Sequence, residues 1–167
     1  MTIRPKALHD GAELLFLLFW LGPDRYALAV DDVGEILPML EIKAVPGSPA
    51  VIAGLINYRG RPVPVLDISA LTLGRPARHR LSTRIILIRH EAGNGASHWL
   101  GLIVEQATSM IRRSVSAFVP AGVDNDAMPY FGPVAPDADG LIQWIDPGKL
   151  LSPEICDMLF RSDGDAA

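Results

Sequence analysis

Apolar positions along this chain fall into short runs separated by turn chemistry, and the spacing predicts strands. Leu14 to Leu21 and Tyr26 to Val30 are bounded by Gly22-Pro23-Asp24, a tight turn between two antiparallel strands. Pro46-Gly47-Ser48-Pro49 is followed by Val51 to Asn57 and Arg61 to Ile68, which pair across Arg59-Gly60. A third hairpin joins Arg84–Arg89 to His98–Val104 through Gly93-Asn94-Gly95, where positive φ is cheap. Met110 to Val119 predicts a further strand, and Pro120 to Pro129, with Asp124 and Asp126, a polar loop. A fourth hairpin joins Tyr130–Val134 to Leu141–Ile145 across Asp139-Gly140.

Helical signals are few and short. Asp31 or Asp32 is placed to cap one turn in which Val33, Ile36 and Leu37 share a face, and Pro38 limits its length. Ser152 as N-cap, Pro153 at the first helical position and the stripe Ile155, Met158, Leu159 predict a C-terminal helix ahead of Gly164. Pro62 and Pro64 lie two apart, so both missing N–H groups face one side, which predicts an edge or a bulge. Many short strands with no long helical pattern between them argue for an all-β fold of barrels with short helices. Residues 1–11 read as a flexible arm, 12–161 as one folded domain and 162–167 as a disordered tail. A weak internal echo suggests two similar halves: Gly60 leads to Asp67 and Leu71 as Gly140 leads to Asp146 and Leu150.

Composition narrows the partners. A length of 167 residues suits one domain with its own core. Fifteen Lys plus Arg against nineteen Asp plus Glu give a net charge of -4 without a run of either sign, which argues against nucleic acid. A single cysteine, Cys156, forms no internal disulfide; it suits a reducing compartment and reads as a small buried hydrophobe. Leu14 to Leu21 follows Arg4 and Lys6, but Asp10 and Glu13 intervene and eight residues fall far short of the roughly 20 that span a bilayer. No direct membrane insertion and a cytoplasmic location are therefore expected. The mean hydropathy of +0.25 implies either a large core or apolar surface reserved for partners.

Catalytic patterns are missing. His9, His79, His90 and His98 stand apart, and no zinc-ligand spacing, nucleophile elbow or phosphate loop occurs. His79 and His90 sit beside arginines, where a solvated surface role is the plain reading. Glu35, Asp67 and Glu105 read as a helix-face charge, a strand-ending turn residue and a strand-terminal residue. The expectation is no catalytic residue, no metal and no cofactor.

The most informative stretch is Pro46-Gly47-Ser48-Pro49, then Gly54-Leu55-Ile56-Asn57-Tyr58-Arg59-Gly60, then Val63-Pro64-Val65-Leu66-Asp67. It places a hydrophobic strand beside a turn that projects one guanidinium. Arg59 either holds that turn by a local contact or serves recognition, since arginine is enriched at interface hot spots; the two are compatible. The stretch resembles the signature of the CheW family of chemotaxis coupling proteins. Leu18-Phe19, Tyr26-Ala27-Leu28, Val33-Gly34-Glu35-Ile36, Thr83-Arg84, Gly101 to Glu105 and Asp146 to Leu151 extend the likeness over Leu15 to Leu159.

The resemblance implies two five-stranded, SH3-like barrels in a CheW-like domain. It also implies an adaptor without catalysis, linking a methyl-accepting chemotaxis-type receptor to a CheA-type histidine kinase. Receptor helices would lie in an apolar groove between the barrels, and barrel ends would meet the kinase. By motif, the receptor-facing candidates are Val33, Glu35, Gly54, Arg59 and Gly60; no kinase-facing residue is assigned. Several positions depart from the family pattern: Tyr58, Gly34, Pro62, Glu105, Trp144 and Pro147. Tyr58 and the Leu81-Ser82-Thr83-Arg84 run look like surface-sensing, Wsp-type coupling proteins, whose output is a diguanylate cyclase. The first alternative is a small-ligand-binding β-barrel module without kinase coupling, and the second is a hydrolase using an Asp or Glu with a distant His.

Overall fold

The computed structural model describes residues 11–91, 95–122 and 126–160, so most of the arm, the tail, Gly93, Asn94 and Asp124 lie outside the described residues. Among the described residues nine strands carry the fold: β1 (Glu13–Leu21), β2 (Asp24–Ala29), β3 (Val33–Pro38), β4 (Ile52–Tyr58), β5 (Arg61–Asp67), β6 (Arg84–Glu91), β7 (Ser97–Ser114), β8 (Phe131–Asp137) and β9 (Gly140–Ile145). Two short helices, α1 (Ile68–Leu73) and α2 (Pro153–Leu159), complete it. Four hairpins form where turn residues interrupt the apolar runs, although the last turn is Ala138-Asp139, one residue earlier than the Asp-Gly signal suggests, with Asp137 opposite Gly140.

The strands make two five-stranded barrels that share β7. In the first, β3, β6, the early half of β7, β5 and β4 are neighbours, and a two-bond bridge between Lys43 and Leu55 closes the ring at 2.8 and 2.9 Å. In the second the order is late β7, β1, β2, β9, β8, closed by the Val119–Val134 bridge, both bonds 2.8 Å. Each barrel contains one parallel pair, β5 with β7 and β2 with β9. The strand that ends each of these hairpins stops at an aspartate: Asp67 caps α1 and Asp146 caps a 3₁₀ turn, so the echo between the two halves is physical.

Burial explains why the runs are continuous rather than alternating. On β6, Ile85 and Leu87 fill the first barrel while Ile86 and Ile88 face a layer shared between the barrels. On β1, Phe16 and Leu18 fill the second barrel while Leu17, Phe19 and Leu21 join the shared layer. A sheet covered on both faces reads as a solid hydrophobic run. Leu14 to Leu21 is such a strand, and no described helix is long and apolar enough to cross a membrane.

Three expectations are corrected. Val33–Leu37 is not a helical turn: a 3₁₀ turn occupies Val30–Asp32, and the chain then pairs with β6. A β-bulge between Val33 and Glu35 shifts the alternation by one, so Val33 and Ile36 both reach the shared layer while Leu37 faces the first barrel. That shift imitates a helical period. Met110–Val119 is not a separate strand, since β7 runs to Ser114 and bends at Gln106, whose φ is 52°, before a 3₁₀ turn at Val115–Ala117. The strand after the second hairpin does not merely end at Ile68; Asp67 accepts the Ala70 N–H at 3.1 Å and starts α1. The proline reading holds, because β5 pairs with β4 from Arg61 but with β7 only from Val65, beyond Pro62 and Pro64. Ser152 caps α2, accepting the Ile155 N–H at 3.3 Å, with Pro153 first in the helix.

Candidate functional site

Arg59 and Gly60 form the two-residue turn between β4 and β5, both at positive φ, 51° and 81°. Such turns match the twist of the strands they join, and glycine takes the second position without strain. Asn57 fixes the bend, its side-chain oxygen accepting the Gly60 N–H at 2.9 Å. The turn lifts Arg59 into solvent, with 76% of its side chain exposed.

Glu35 on β3 meets this turn from the neighbouring edge of the barrel. Its Oε2 lies 3.6 Å from Arg59 Nη2 and accepts the Tyr58 hydroxyl. The hydrogen bond to Glu35, with partial burial, raises the Tyr58 phenol above its ordinary pKa. Arg59 also lies 5.1 Å above the Tyr58 ring, and Tyr58 packs edge-on against Trp99 at 6.1 Å. Arg89 covers Trp99 at 3.9 Å from across the β6–β7 pair. One surface therefore carries two guanidiniums, one carboxylate and two half-buried aromatic rings on a rigid sheet, the composition of a protein-binding patch.

The five sequence candidates do not all stand there. Glu35, Arg59 and Gly60 are brought together, whereas Val33 is half-buried against the shared layer. It borders a depression of about 560 Å³ between the barrels, along with Asp31, Asp32, Arg89, Glu91 and Asp146. Five of the nine residues that line this depression are charged, while the large hydrophobic side chains nearby pack into the shared core. Burial, and then Asp146 and Asp31, raise the Asp32 carboxyl. Gly54 is buried, and a Cβ there would stand 2.1 Å from the Lys43 carbonyl oxygen, in the bridge that closes the barrel.

Sequence reasoning missed Tyr58, Trp99 and Arg89 as parts of one surface. Arg89 had a signal, being the charged residue that follows the apolar run Ile85–Ile88 of β6 and lies directly opposite Trp99. Gly34 also finds its reason here, not in a helix: a Cβ would strike the Trp99 ring at 2.5 Å.

Two histidine readings are corrected. His90 and His98 are cross-strand partners rather than isolated, and His90 is 4% exposed rather than solvated. Phe160 stacks on both rings, at 5.6 and 4.4 Å, and Cys156 Sγ lies 3.5 Å from His90 Nε2. The alternation of β6 was hidden because both its faces are covered. Glu105 lies in the middle of β7 rather than at a strand end.

A family model described as the CheW-like domain matches residues 15–154. The chain is 28% identical to a chemotaxis protein CheW of Bacillus subtilis, over 83% of this chain and 86% of that one. It is 26% identical to the protein FrzA of Myxococcus xanthus over 74% of each. A probable chemotaxis protein CheW of Rhizobium etli is 32% identical, but the match spans 46% of this chain and about half, 49%, of that protein. The crystal structure of the scaffolding protein TtCheW from Thermoanaerobacter tengcongensis superposes with a TM-score of 0.74 at 23% identity, over 89% of this chain and 94% of that one. That likeness carries the fold: two barrels sharing a long strand. With the match running from Leu15, near the start of β1, into α2, the chain belongs to the CheW-like domain family.

Proposed function

We propose that this chain is a non-catalytic coupling protein that joins a methyl-accepting chemotaxis-type receptor to a CheA-type histidine kinase. The observation that carries this reading is the exposed Arg59 guanidinium, mounted on a two-residue turn and backed by Glu35 and Tyr58. An adaptor needs an interface whose geometry survives partner exchange, and side chains seated on a sheet provide it. In this reading Glu35, Arg59 and Gly60 form the centre of the receptor-facing surface, Val33 its border, and Gly54 the backbone that holds the hairpin in place. The relatives' names, chemotaxis protein CheW among them, support the same role.

Co-sedimentation with receptor-bearing membranes and purified kinase tests the proposal. Arg59→Glu is expected to lower co-sedimentation roughly thirtyfold if Arg59 is an anchor of about 2 kcal/mol. Binding unchanged by that substitution rejects the role given to Arg59. A finer reading, an output through a diguanylate cyclase, is supported by Tyr58 and the Leu81-Ser82-Thr83-Arg84 run. It requires that deleting the protein shift cellular cyclic di-GMP, and an unaltered level rejects it.

A further inference from the structure

A second cavity, of about 250 Å³, opens where the two barrels meet, and its walls are strongly basic. Arg75, Arg78 and Arg80 line it together with Ser82, Thr83 and Glu105. Four of the chain's fifteen basic residues, these three and Arg84, fall within ten positions in a protein whose net charge is -4. Among the described residues, none of the three cavity arginines takes part in an ion pair. Three like charges lining one cavity repel one another, and that repulsion is relieved when an anion enters.

The walls are prepared rather than loose. Asp67 fixes both ends of the preceding segment, accepting the Ala70 N–H at 3.1 Å and the Ala77 N–H at 2.9 Å. The Glu105 carboxylate accepts the Arg78 N–H. Buried Thr83 donates its hydroxyl to the Arg78 carbonyl and accepts the Arg80 N–H at 3.0 Å, and Ser82 is tied to β7 through the Ala107 N–H at 3.2 Å. The backbone that carries Arg78 and Arg80 is thus held at four points. A side chain on such a backbone loses less freedom on binding than one on a mobile loop.

We propose that this cavity binds a phosphomonoester dianion. Three guanidiniums offset by one carboxylate leave two positive charges, which match a phosphate of charge near -2. A tetrahedral phosphate also presents three outer oxygens to three planar donor forks. A monocarboxylate would leave one guanidinium unpaired. The volume lies below the roughly 300 Å³ at which drug-sized sites begin, so it fits a phosphate head and little of what it is attached to. The phosphate can therefore be carried by a small molecule or by a phosphorylated side chain. This site is separate from the Glu35–Arg59 surface, and either can fail without the other.

The test is an amide NMR titration of the full chain at constant ionic strength, with glycerol 3-phosphate and a phosphoserine peptide as probes and sodium chloride as control. Saturable shifts at Ala77, Arg80, Thr83 and Gln106 are expected, and weaker binding below about pH 6, where a phosphomonoester loses its second charge. Arg78→Gln combined with Arg80→Gln should weaken binding at least about tenfold, while Arg59→Gln should not. Saturation by the small molecule assigns the source to a metabolite, and saturation by the peptide alone assigns it to a phosphoprotein; both uphold the dianion. Shifts that do not saturate, or that the double variant leaves unchanged, overturn it. An unaltered melting temperature and spectrum in the double variant show that its fold is intact, and Arg75→Gln serves as a second variant should it fail to fold.

Discussion

Gly34 lies against the Trp99 ring with no room for a methyl group: a Cβ would stand 2.5 Å from Cζ3 and 2.7 Å from Cη2. Its backbone does not require glycine, so space alone is the obstacle. Gly34→Ala is expected to cost about 1–3 kcal/mol by overpacking, and Trp99→Leu in the same chain should recover most of it. Urea denaturation of the two single variants and the double variant measures the coupling. Costs that simply add would show that the ring contact is not what excludes a side chain at Gly34.

Gly54 excludes a side chain for two reasons at once. Its φ is 146°, and the atom in the way is the Lys43 carbonyl oxygen at 2.1 Å, which cannot rotate aside. Gly54→Ala should therefore cost about 3 kcal/mol or more and remove hydrogen-exchange protection at Lys43 and Leu55, whose bridge closes the barrel. No second substitution should rescue it, in contrast to Gly34. A stable variant with that protection intact would mean that the bridge is not what holds the ring shut.

The hairpins were legible because their turns use glycine, proline or aspartate, and the barrel class followed from their spacing. Elements without a punctuating residue were not. Gln106 bends β7 with no glycine or proline to mark it, so one strand of eighteen residues read as two. The bulge after Val33 gave a strand the period of a helix. The motif pointed to Arg59, but not to Glu35 as its partner, nor to Tyr58 and Trp99 as the floor beneath them. Those contacts join strands far apart in sequence, and only barrel closure brings them together. The His90–His98 pair was closer to view, since the two lie symmetrically in sequence about the Gly93-Asn94-Gly95 signal.

Stability is expected to depend on His90. Burial, and then the neighbouring His98, lower its pKa from the ordinary value of 6.5. The unfolded chain therefore binds more protons near that pH than the folded one does. The stability contributed by the neutral ring is complete above about pH 6.5 and is lost as pH falls through the lowered folded value. Cys156 in α2 and Phe160 just beyond its end lie against this ring, so α2 should loosen first. Melting temperatures from about pH 8 to about pH 5 should fall in the wild type, with amide exchange in α2 rising in parallel. His90→Phe, which keeps the stack on Phe160, should flatten that part of the curve. An acid decline of equal size in the variant would place its origin elsewhere.

Two arginine–carboxylate pairs should respond oppositely to the loss of their acid. Asp137 joins Arg25 and Arg113, and the Arg25 and Asp137 side chains are each only 13% exposed. Burial works to raise the Asp137 carboxyl, but the Ala138 N–H and the two guanidiniums outweigh it and hold the group below its ordinary pKa. Asp137→Ala strands both arginines in the second barrel and should cost about 1–3 kcal/mol. Glu35 faces Arg59 at 3.6 Å with most of the arginine in water, so Glu35→Ala should cost under about 1 kcal/mol. If the Glu35 surface exists for a partner, its removal should weaken co-sedimentation while the denaturation midpoint stays in place, and Asp137→Ala should do the reverse. A Glu35→Ala protein that is destabilised as much as Asp137→Ala would make the pair a brace for the hairpin and withdraw Glu35 from the receptor-facing surface.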